Sequence, residues 1–189
     1  MPIINAGSGK KEHPTQALLD AYTIYSEFST LKNLNIAIAG DLLRGRTVDS
    51  LVYLLSKYKN TFYFVSPDNS KIKDDLKRFL VENNIDFFEK SSLEEVIDVV
   101  DVLYMTRIQK ERFETEEEYL KAKSKIILNK ELVNSMKKNA IIMHPLPRVD
   151  EIPRDIDNNI RAKYFKQAEN GLWVRMALLK IINDYQKIL

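Results

Sequence analysis

The sequence of 189 residues contains no cysteine, which excludes disulfide bonds, thiolate catalysis and metal sites built on thiolates. No apolar run approaches the ~20 residues that a membrane-spanning helix needs. The N-terminus has no long apolar segment of the kind that forms the core of a secretory signal peptide. We therefore expect a cytoplasmic protein with no membrane partner.

Charge of one sign is not in excess either. Lysine and arginine number 29, aspartate and glutamate 27, and the formal net charge is +2. Broad nucleic-acid binding usually needs a strong basic excess, so no nucleic-acid partner is expected. The glycine fingerprint of dinucleotide-binding domains and the glycine-rich phosphate loop are both missing, which disfavours nucleotide-binding enzymes.

Short apolar runs alternate with helical patterns along most of the chain. The runs that predict strands are residues 34–40, 61–65, 85–88, 99–104 and 140–143. Helical patterns lie between them, including a short helix at 91–96 that Ser91 or Ser92 would cap. This alternation predicts an α/β fold with an open, mainly parallel, five-stranded Rossmann-like sheet and helices on both faces.

Cationic and amide side chains follow two of the predicted strands. Arg107 and Gln109 come directly after strand 99–104, and Arg46 follows strand 34–40. Ligands bind at this edge of open α/β sheets, and the arginine fork suits a carboxylate or a phosphate. Arg46 also stands at a predicted helix start, where the helix dipole disfavours a cation. An anionic ligand is one interpretation, and pairing with Asp49 or Asp41 is the other.

Two further segments combine polar groups with fixed backbone. In His13-Pro14-Thr15-Gln16, proline suits the first helical position, so His13 becomes the N-cap at a helix end that favours anions and polarised oxygens. In the segment His144-Pro145-Leu146-Pro147, two prolines hold the backbone in one geometry, with a cis X-Pro bond as one option. The alternative interpretations are that His13 is merely a helix cap and that residues 144–147 form an ordinary turn.

A long helix is predicted from residue 170 to 189, and it is apolar over more than one face. Such a helix is buried on several sides. Because a lone sheet covers one side only, the pattern predicts a partner for this helix, either another domain or another chain.

Four segments in this order resemble the catalytic chain of the aspartate carbamoyltransferase family. They are His13-Pro14-Thr15-Gln16, Gly45-Arg46-Thr47, Met105-Thr106-Arg107-Ile108-Gln109-Lys110-Glu111-Arg112 and His144-Pro145-Leu146-Pro147-Arg148-Val149-Asp150-Glu151. The resemblance covers all 189 residues but only the C-terminal, aspartate-binding half of the family chain. Ornithine carbamoyltransferases typically have His-Cys-Leu-Pro in place of the last motif and lack the Arg-x-Gln pair.

The resemblance implies a role for each motif residue. His13 would be the catalytic residue that contacts the carbonyl oxygen of carbamoyl phosphate, and Gln16 would contact its amide end. Arg46 would bind the α-carboxylate of aspartate, and Arg107 with Gln109 would bind the side-chain carboxylate. The backbone carbonyls of Pro145 and Leu146 would hold the carbamoyl nitrogen and the attacking amine, with Leu146–Pro147 similar to a cis peptide of the family. No metal or redox cofactor is implied.

The resemblance also implies an organisation. Residues 1–30 would form an interdomain helix region and 31–169 the aspartate-binding domain. Residues 170–189 would form a helix that packs on a carbamoyl phosphate domain. Residues 110–119 would close on the substrate, although a solvated loop is equally compatible with their charge. The full-length enzyme would be a homotrimer, with regulatory chains as possible partners.

Several features of the family's site are missing from this sequence. The family's phosphate-binding segment, Ser-x-Arg-Thr-Arg, is absent, and so are the lysine and serine that a neighbouring subunit lends. We therefore expect half a site and an inactive chain. Two alternatives are a non-catalytic binding or scaffold domain of the same fold and a transcarbamoylase for another amine.

Overall fold

A parallel sheet forms the centre of the protein. The structure is a computed structural model that describes residues 3–9, 12–108, 115–117, 119–120 and 126–186. Its strands are β1 (Asn35–Ala39), β2 (Thr61–Val65), β3 (Phe87–Lys90), β4 (Val102–Met105) and β5 (Ile141–Met143). Within the described residues the order is β3-β2-β1-β4-β5, and all neighbouring strands are parallel. The predicted open five-stranded sheet is confirmed.

Both faces of the sheet are covered, as predicted. The helices are α1 (Pro14–Phe28), α2 (Arg46–Leu55), α3 (Asp74–Glu82), α4 (Lys130–Ser135) and α5 (Tyr164–Gln186). Side chains alternate along a strand, so that Ile36 and Ile38 pack with α1, α2 and α3 on one face. Ala37 and Ala39 face α4, the segment 93–100 and the start of α5. No helix of the described residues has the length and apolar composition to cross a membrane.

The predicted helix at 91–96 is only a short 3-10 turn, Leu93–Glu95. The predicted start is correct, because the Glu95 carboxylate accepts the backbone N–H groups of Ser91 and Ser92 at 2.9 and 3.2 Å. Residues 96–99 continue as turns, and the chain enters the sheet at Asp101, whose N–H donates to the carbonyl of Asn35 at 2.8 Å. The segment between the cap and β4 therefore consists of turns in place of a regular helix.

Helix α5 begins earlier than predicted, at Tyr164, and passes through the Asn170-Gly171 pair. The Asn170 amide donates to the Thr23 hydroxyl on α1 at 2.9 Å. A Cβ atom on Gly171 would lie 3.2 Å from Cδ2 of Leu19, so the glycine serves close packing of α5 on α1. Tertiary contacts therefore outweigh the local tendency of this pair to form a turn.

The carboxyl ends of β1 and β4 lie side by side where the strand order reverses. The N–H and the hydroxyl of Thr106 both donate to the Ala39 carbonyl, at 2.7 and 2.9 Å. Strand β5 is the next neighbour, and His144 follows its last residue, Met143. This switch point is where open α/β sheets form a crevice for ligands.

Candidate functional site

The starts of α1 and α2 are joined beside this crevice. His13 precedes α1, and its N–H donates to Ser50 Oγ at 2.9 Å. The Ser50 hydroxyl donates to the carbonyl of Arg46, the first residue of α2, at 3.2 Å. A Cβ atom on Gly7 would lie 3.5 Å from Arg46 Nη1 and 3.8 Å from His13 Cε1. The guanidinium and the imidazole therefore border one small space.

The acids that the sequence offered as partners for Arg46 are paired with other cations. Asp49 forms an ion pair with Lys73, and Asp41 lies 3.6 Å from Arg44 Nη1. Arg46 Nη1 donates to the carbonyl of Gly9 at 2.9 Å, and among the described residues no ion pair joins it to an acid. Because a cation at a helix start is disfavoured by the dipole, this arrangement favours an anionic ligand for Arg46.

His13 is held in its neutral form. Burial lowers the pKa of His13 below its ordinary value, and the positive charges of Arg46 and Arg175 lower it further. Its Nδ1 atom is buried and has no hydrogen-bond partner among the described residues. A neutral imidazole has one N–H and one lone pair, so His13 can donate a hydrogen bond to a polarised oxygen without carrying charge.

Gln16 is fixed by a buried carboxylate one helical turn away. Its Nε2 donates to Asp20 Oδ1 at 2.9 Å. The Tyr104 hydroxyl donates to Oδ2 at 2.9 Å and the Gln167 amide to Oδ1 at 2.6 Å. Asp20 is fully buried, and it joins α1, β4 and α5.

The buried Asp20 should make stability depend on pH. Burial raises its pKa to about 7, although its three hydrogen bonds and Arg175 act in the opposite direction. The folded state therefore holds a proton that the unfolded state loses, and the free energy of unfolding falls as the pH rises towards 7. This group should contribute a slope of at most about 1.4 kcal/mol per pH unit.

Urea unfolding of the chain and of its Asp20→Asn variant at pH 5, 6, 7 and 8 measures this slope. We expect the stability difference between the two proteins to fall with pH up to about 7 and to level off above it. Thr23→Val alters the same α1–α5 interface without an ionisable group and should show no such trend. A pH-independent difference for Asp20→Asn would contradict the raised pKa.

The turn after β5 is held by His144, which is buried. Its Nδ1 accepts the Leu146 N–H at 2.8 Å, and its Nε2 lies 2.8 Å from Glu151 Oε1. The proton therefore resides on Nε2. Burial acts to raise the pKa of Glu151, but the bonds from His144 and from backbone N–H groups outweigh it and lower that pKa.

The same turn carries the cis bond named as an option from the sequence. Leu146–Pro147 is cis, and Leu146 has a φ of 55°. Arg148 then makes paired hydrogen bonds with Asp157, one of them 2.6 Å long, and donates to the Tyr164 hydroxyl at 3.0 Å. These bonds join the turn to the start of α5, while Pro145 and Leu146 remain half-buried.

Arg107 stands at the end of β4 with an exposed side chain. The structure brings the side chains of Arg46 and His13 to one space beside Gly7, and it places Arg107 just after β4, at the carboxyl edge of the sheet. Gln109 lies outside the described residues, as does most of the segment 110–119 that was expected to close on a ligand. No group of His, Asp or Glu in the described residues is arranged to hold a metal ion.

Sequence reasoning missed Asp20, Tyr104 and Gln167. A signal for the first was present, because Gln16 and Asp20 are four residues apart and share one face of α1. Tyr104 is a polar residue in an otherwise apolar strand, and a buried tyrosine hydroxyl usually has a partner. Nothing local identified Gln167, which is 147 positions from Asp20.

The fold defines an open α/β domain, a class of domain whose ligands bind at the carboxyl ends of the strands. Residues 32–182 match the family model of the aspartate/ornithine carbamoyltransferase Asp/Orn binding domain, and residues 1–26 match the carbamoyl-P binding domain of that family. The chain belongs to the aspartate/ornithine carbamoyltransferase family.

Proteins with similar sequences are named aspartate carbamoyltransferase. The chloroplastic aspartate carbamoyltransferase of Arabidopsis thaliana is 54% identical over 96% of this chain and 47% of its own length. The catalytic subunit from Clostridium botulinum (strain Eklund 17B / Type B) is 54% identical over 95% and 59%, respectively. This chain therefore spans about half the length of these relatives.

Solved structures of aspartate transcarbamoylases have a fold similar to that of this chain. The catalytic subunit of M. jannaschii aspartate transcarbamoylase superposes with a TM-score of 0.90 at 50% identity, over 96% of this chain and 59% of that one. The Trypanosoma cruzi aspartate transcarbamoylase in complex with carbamoyl phosphate and aspartate has a TM-score of 0.84 at 38% identity, over 92% and 56%.

Proposed function

We propose that this chain is the aspartate-binding half of an aspartate carbamoyltransferase. The reaction moves the carbamoyl group of carbamoyl phosphate to L-aspartate and gives N-carbamoyl-L-aspartate and phosphate for pyrimidine biosynthesis. The observation that supports it most is the convergence of neutral His13 and Arg46 on one space at the joined starts of α1 and α2. That pair suits a polarised carbonyl beside a carboxylate.

We propose the residue roles by resemblance to the family. Aspartate has two carboxylates, and we assign the α-carboxylate to Arg46 and the side-chain carboxylate to Arg107 with Gln109. Gln16 faces the amide end of carbamoyl phosphate. The carbonyls of Pro145 and Leu146 accept from the carbamoyl nitrogen and the attacking amine.

The chemistry needs positioning more than a protein nucleophile. The amine of aspartate attacks the carbonyl carbon and forms a C–N bond, which gives a tetrahedral intermediate. The intermediate collapses as the C–O bond to phosphate breaks, and the departing phosphate takes the proton that the amine loses. His13 donates a hydrogen bond to the oxygen that becomes negative in the tetrahedral intermediate. Holding both substrates in contact supplies much of the acceleration.

An exposed apolar surface supports a partner domain. Leu18 and Tyr22 of α1 and Trp173 and Leu178 of α5 help to line an open groove of about 420 Å³. We propose that the carbamoyl phosphate domain covers this groove. Residues 1–30 then form the interdomain region, 31–169 the aspartate-binding domain and 170–189 the docking helix.

The wider assembly is part of the same proposal. We propose a homotrimer for the full-length enzyme, with regulatory chains as further partners and a cytoplasmic location. The plant relatives are named chloroplastic, so location is open to a direct test by fractionation.

Complementation tests the function. The purified chain should form no carbamoyl-aspartate from carbamoyl phosphate and aspartate, and it should do so when an N-terminal carbamoyl phosphate domain from a relative is added. Ornithine in place of aspartate should give no product. If no product forms with the added domain while calorimetry shows that the chain still binds aspartate, a non-catalytic binding domain is favoured. Product formation by the chain alone would contradict the proposal that it holds only half of the active site.

A further inference from the structure

A single buried carboxylate sets the orientation of two amides. Three donors converge on Asp20, namely the amides of Gln16 and Gln167 and the hydroxyl of Tyr104, at 2.9, 2.6 and 2.9 Å. An ionised carboxylate only accepts hydrogen bonds. Both glutamines must therefore turn their nitrogen towards Asp20 and their oxygen away from it.

The far end of Gln167 gives an independent check of this orientation. Its Oε1 accepts the backbone N–H of His144 at 2.8 Å, which is possible only with the nitrogen towards Asp20. In the same way, the Gln16 nitrogen is hydrogen-bonded to Asp20, so the Gln16 Oε1 atom is the one that can accept a hydrogen bond from a ligand. A carbonyl oxygen in that position accepts from an N–H group and not from a methyl group.

The connection continues into the turn after β5. His144 receives the Gln167 oxygen on its backbone N–H, and its ring Nδ1 accepts the N–H of Leu146. A continuous chain of hydrogen bonds thus runs from Gln16 through Asp20, Gln167 and His144 to Leu146. It joins two segments that contact the same substrate in the proposed function.

We propose that Asp20 is a positioning residue that orients Gln16 and the His144–Pro147 turn together, so that the site selects a carbamoyl group over an acyl group of the same shape. This inference rests on the proposed function. Asp20 makes no contact with substrate itself, and it acts through the two amides.

Protonation of Asp20 leaves this orientation intact. The groups that face the carboxylate are Gln16 on α1, Tyr104 on β4, and Gln167 and Arg175 on α5. Both amides use Oδ1, so a proton on Oδ2 meets only the Tyr104 hydroxyl. Thr47 lies beside that hydroxyl, and the hydroxyl can turn its own proton away from Asp20.

Kinetics of the chain complemented with the carbamoyl phosphate domain test the selection. Acetyl phosphate has a methyl group where carbamoyl phosphate has its amino group. Asp20→Leu removes both acceptor oxygens and keeps a similar volume. In Asp20→Leu we expect the KM for carbamoyl phosphate to rise at least tenfold while the inhibition constant of acetyl phosphate changes less than threefold. Thr23→Val removes the buried bond between Thr23 and Asn170 at the same interface and should preserve the ratio of the two constants. A ratio in Asp20→Leu equal to that of the original chain would overturn the proposal.

Nuclear magnetic resonance of the chain alone separates this inference from the proposed function, because it needs no turnover. Asp20→Leu should shift the Gln16 side-chain amide and the backbone N–H signals of His144 and Leu146, and Thr23→Val should not. If Asp20→Leu fails to fold, Gln167→Met replaces it and should shift His144 and Leu146 but leave the Gln16 amide unchanged. Unshifted His144 and Leu146 signals in these variants would overturn the link even if complementation succeeds.

Discussion

Arg46→Ala should reduce kcat/KM for aspartate by about 10²–10³-fold in the complemented enzyme, because a carboxylate of the substrate loses its cationic partner. Arg46 is half-buried at the first position of α2, and its guanidinium borders the same space as the His13 ring. The helix dipole disfavours a cation at a helix start, so Arg46 should contribute little to the stability of the fold. Steady-state kinetics with varied aspartate at saturating carbamoyl phosphate measure the effect.

Arg44→Ala is the matched control for this prediction. Arg44 lies in the same loop, is exposed and pairs with Asp41 at 3.6 Å, and surface ion pairs contribute roughly 0–1 kcal/mol. We expect near-normal kinetics for Arg44→Ala and only partial activity for Arg46→Lys, since lysine lacks the planar fork. Equal effects of Arg44→Ala and Arg46→Ala would refute a specific role for Arg46.

The sheet could be predicted because its signal is local. Residues 61–65 are rich in β-branched and aromatic side chains and form β2 with the predicted bounds. The parallel arrangement followed from helices between strands, since parallel neighbours need a long crossover. The strand edge that carries Arg46 and Arg107 followed from the same pattern, because such strands present their carboxyl ends together.

The start of α5 could not be predicted from local signals. Asparagine followed by glycine is a strong turn signal, but Asn170 reaches Thr23 across the interface and Gly171 admits Leu19. Both contacts depend on α1, which lies at the other end of the chain. Tertiary packing therefore determines where this helix begins.

The candidate site also contains residues that local motifs identified and residues that they did not. His13 and Arg46 were identified because each belongs to a short motif at an element boundary. The carboxylate of Asp20 bonds to Tyr104, 84 positions away, and to Gln167, 147 positions away. No pattern within one element contains these pairs, so the residues that would contact the substrate could be predicted and the network that orients them could not.

Gly40→Ala should prevent stable folding of the chain. Gly40 follows β1 with a φ of +124°, and an added Cβ atom would lie 2.2 Å from the carbonyl oxygen of Thr106 and 2.3 Å from its hydroxyl. The conflict involves the backbone directly after β4, where the Thr106 N–H donates to the Ala39 carbonyl, so that this segment cannot move alone. We expect a loss above about 4 kcal/mol in the free energy of unfolding, which is a large share of a typical domain's stability. Urea unfolding followed by circular dichroism provides the measurement.

Gly9→Ala separates steric conflict from backbone strain. Gly9 also has a positive φ, +56°, but no atom of the described residues lies within 4 Å of an added Cβ atom, so its cost should stay within the roughly 1–2 kcal/mol of a left-handed residue. If Gly40→Ala also lowers the free energy of unfolding by only roughly 1–2 kcal/mol, β1 and β4 are not as close at this edge as the structure has them. The difference between the two variants therefore measures how tightly Thr106 is held against Gly40, and so how rigid the crevice between β1 and β4 is.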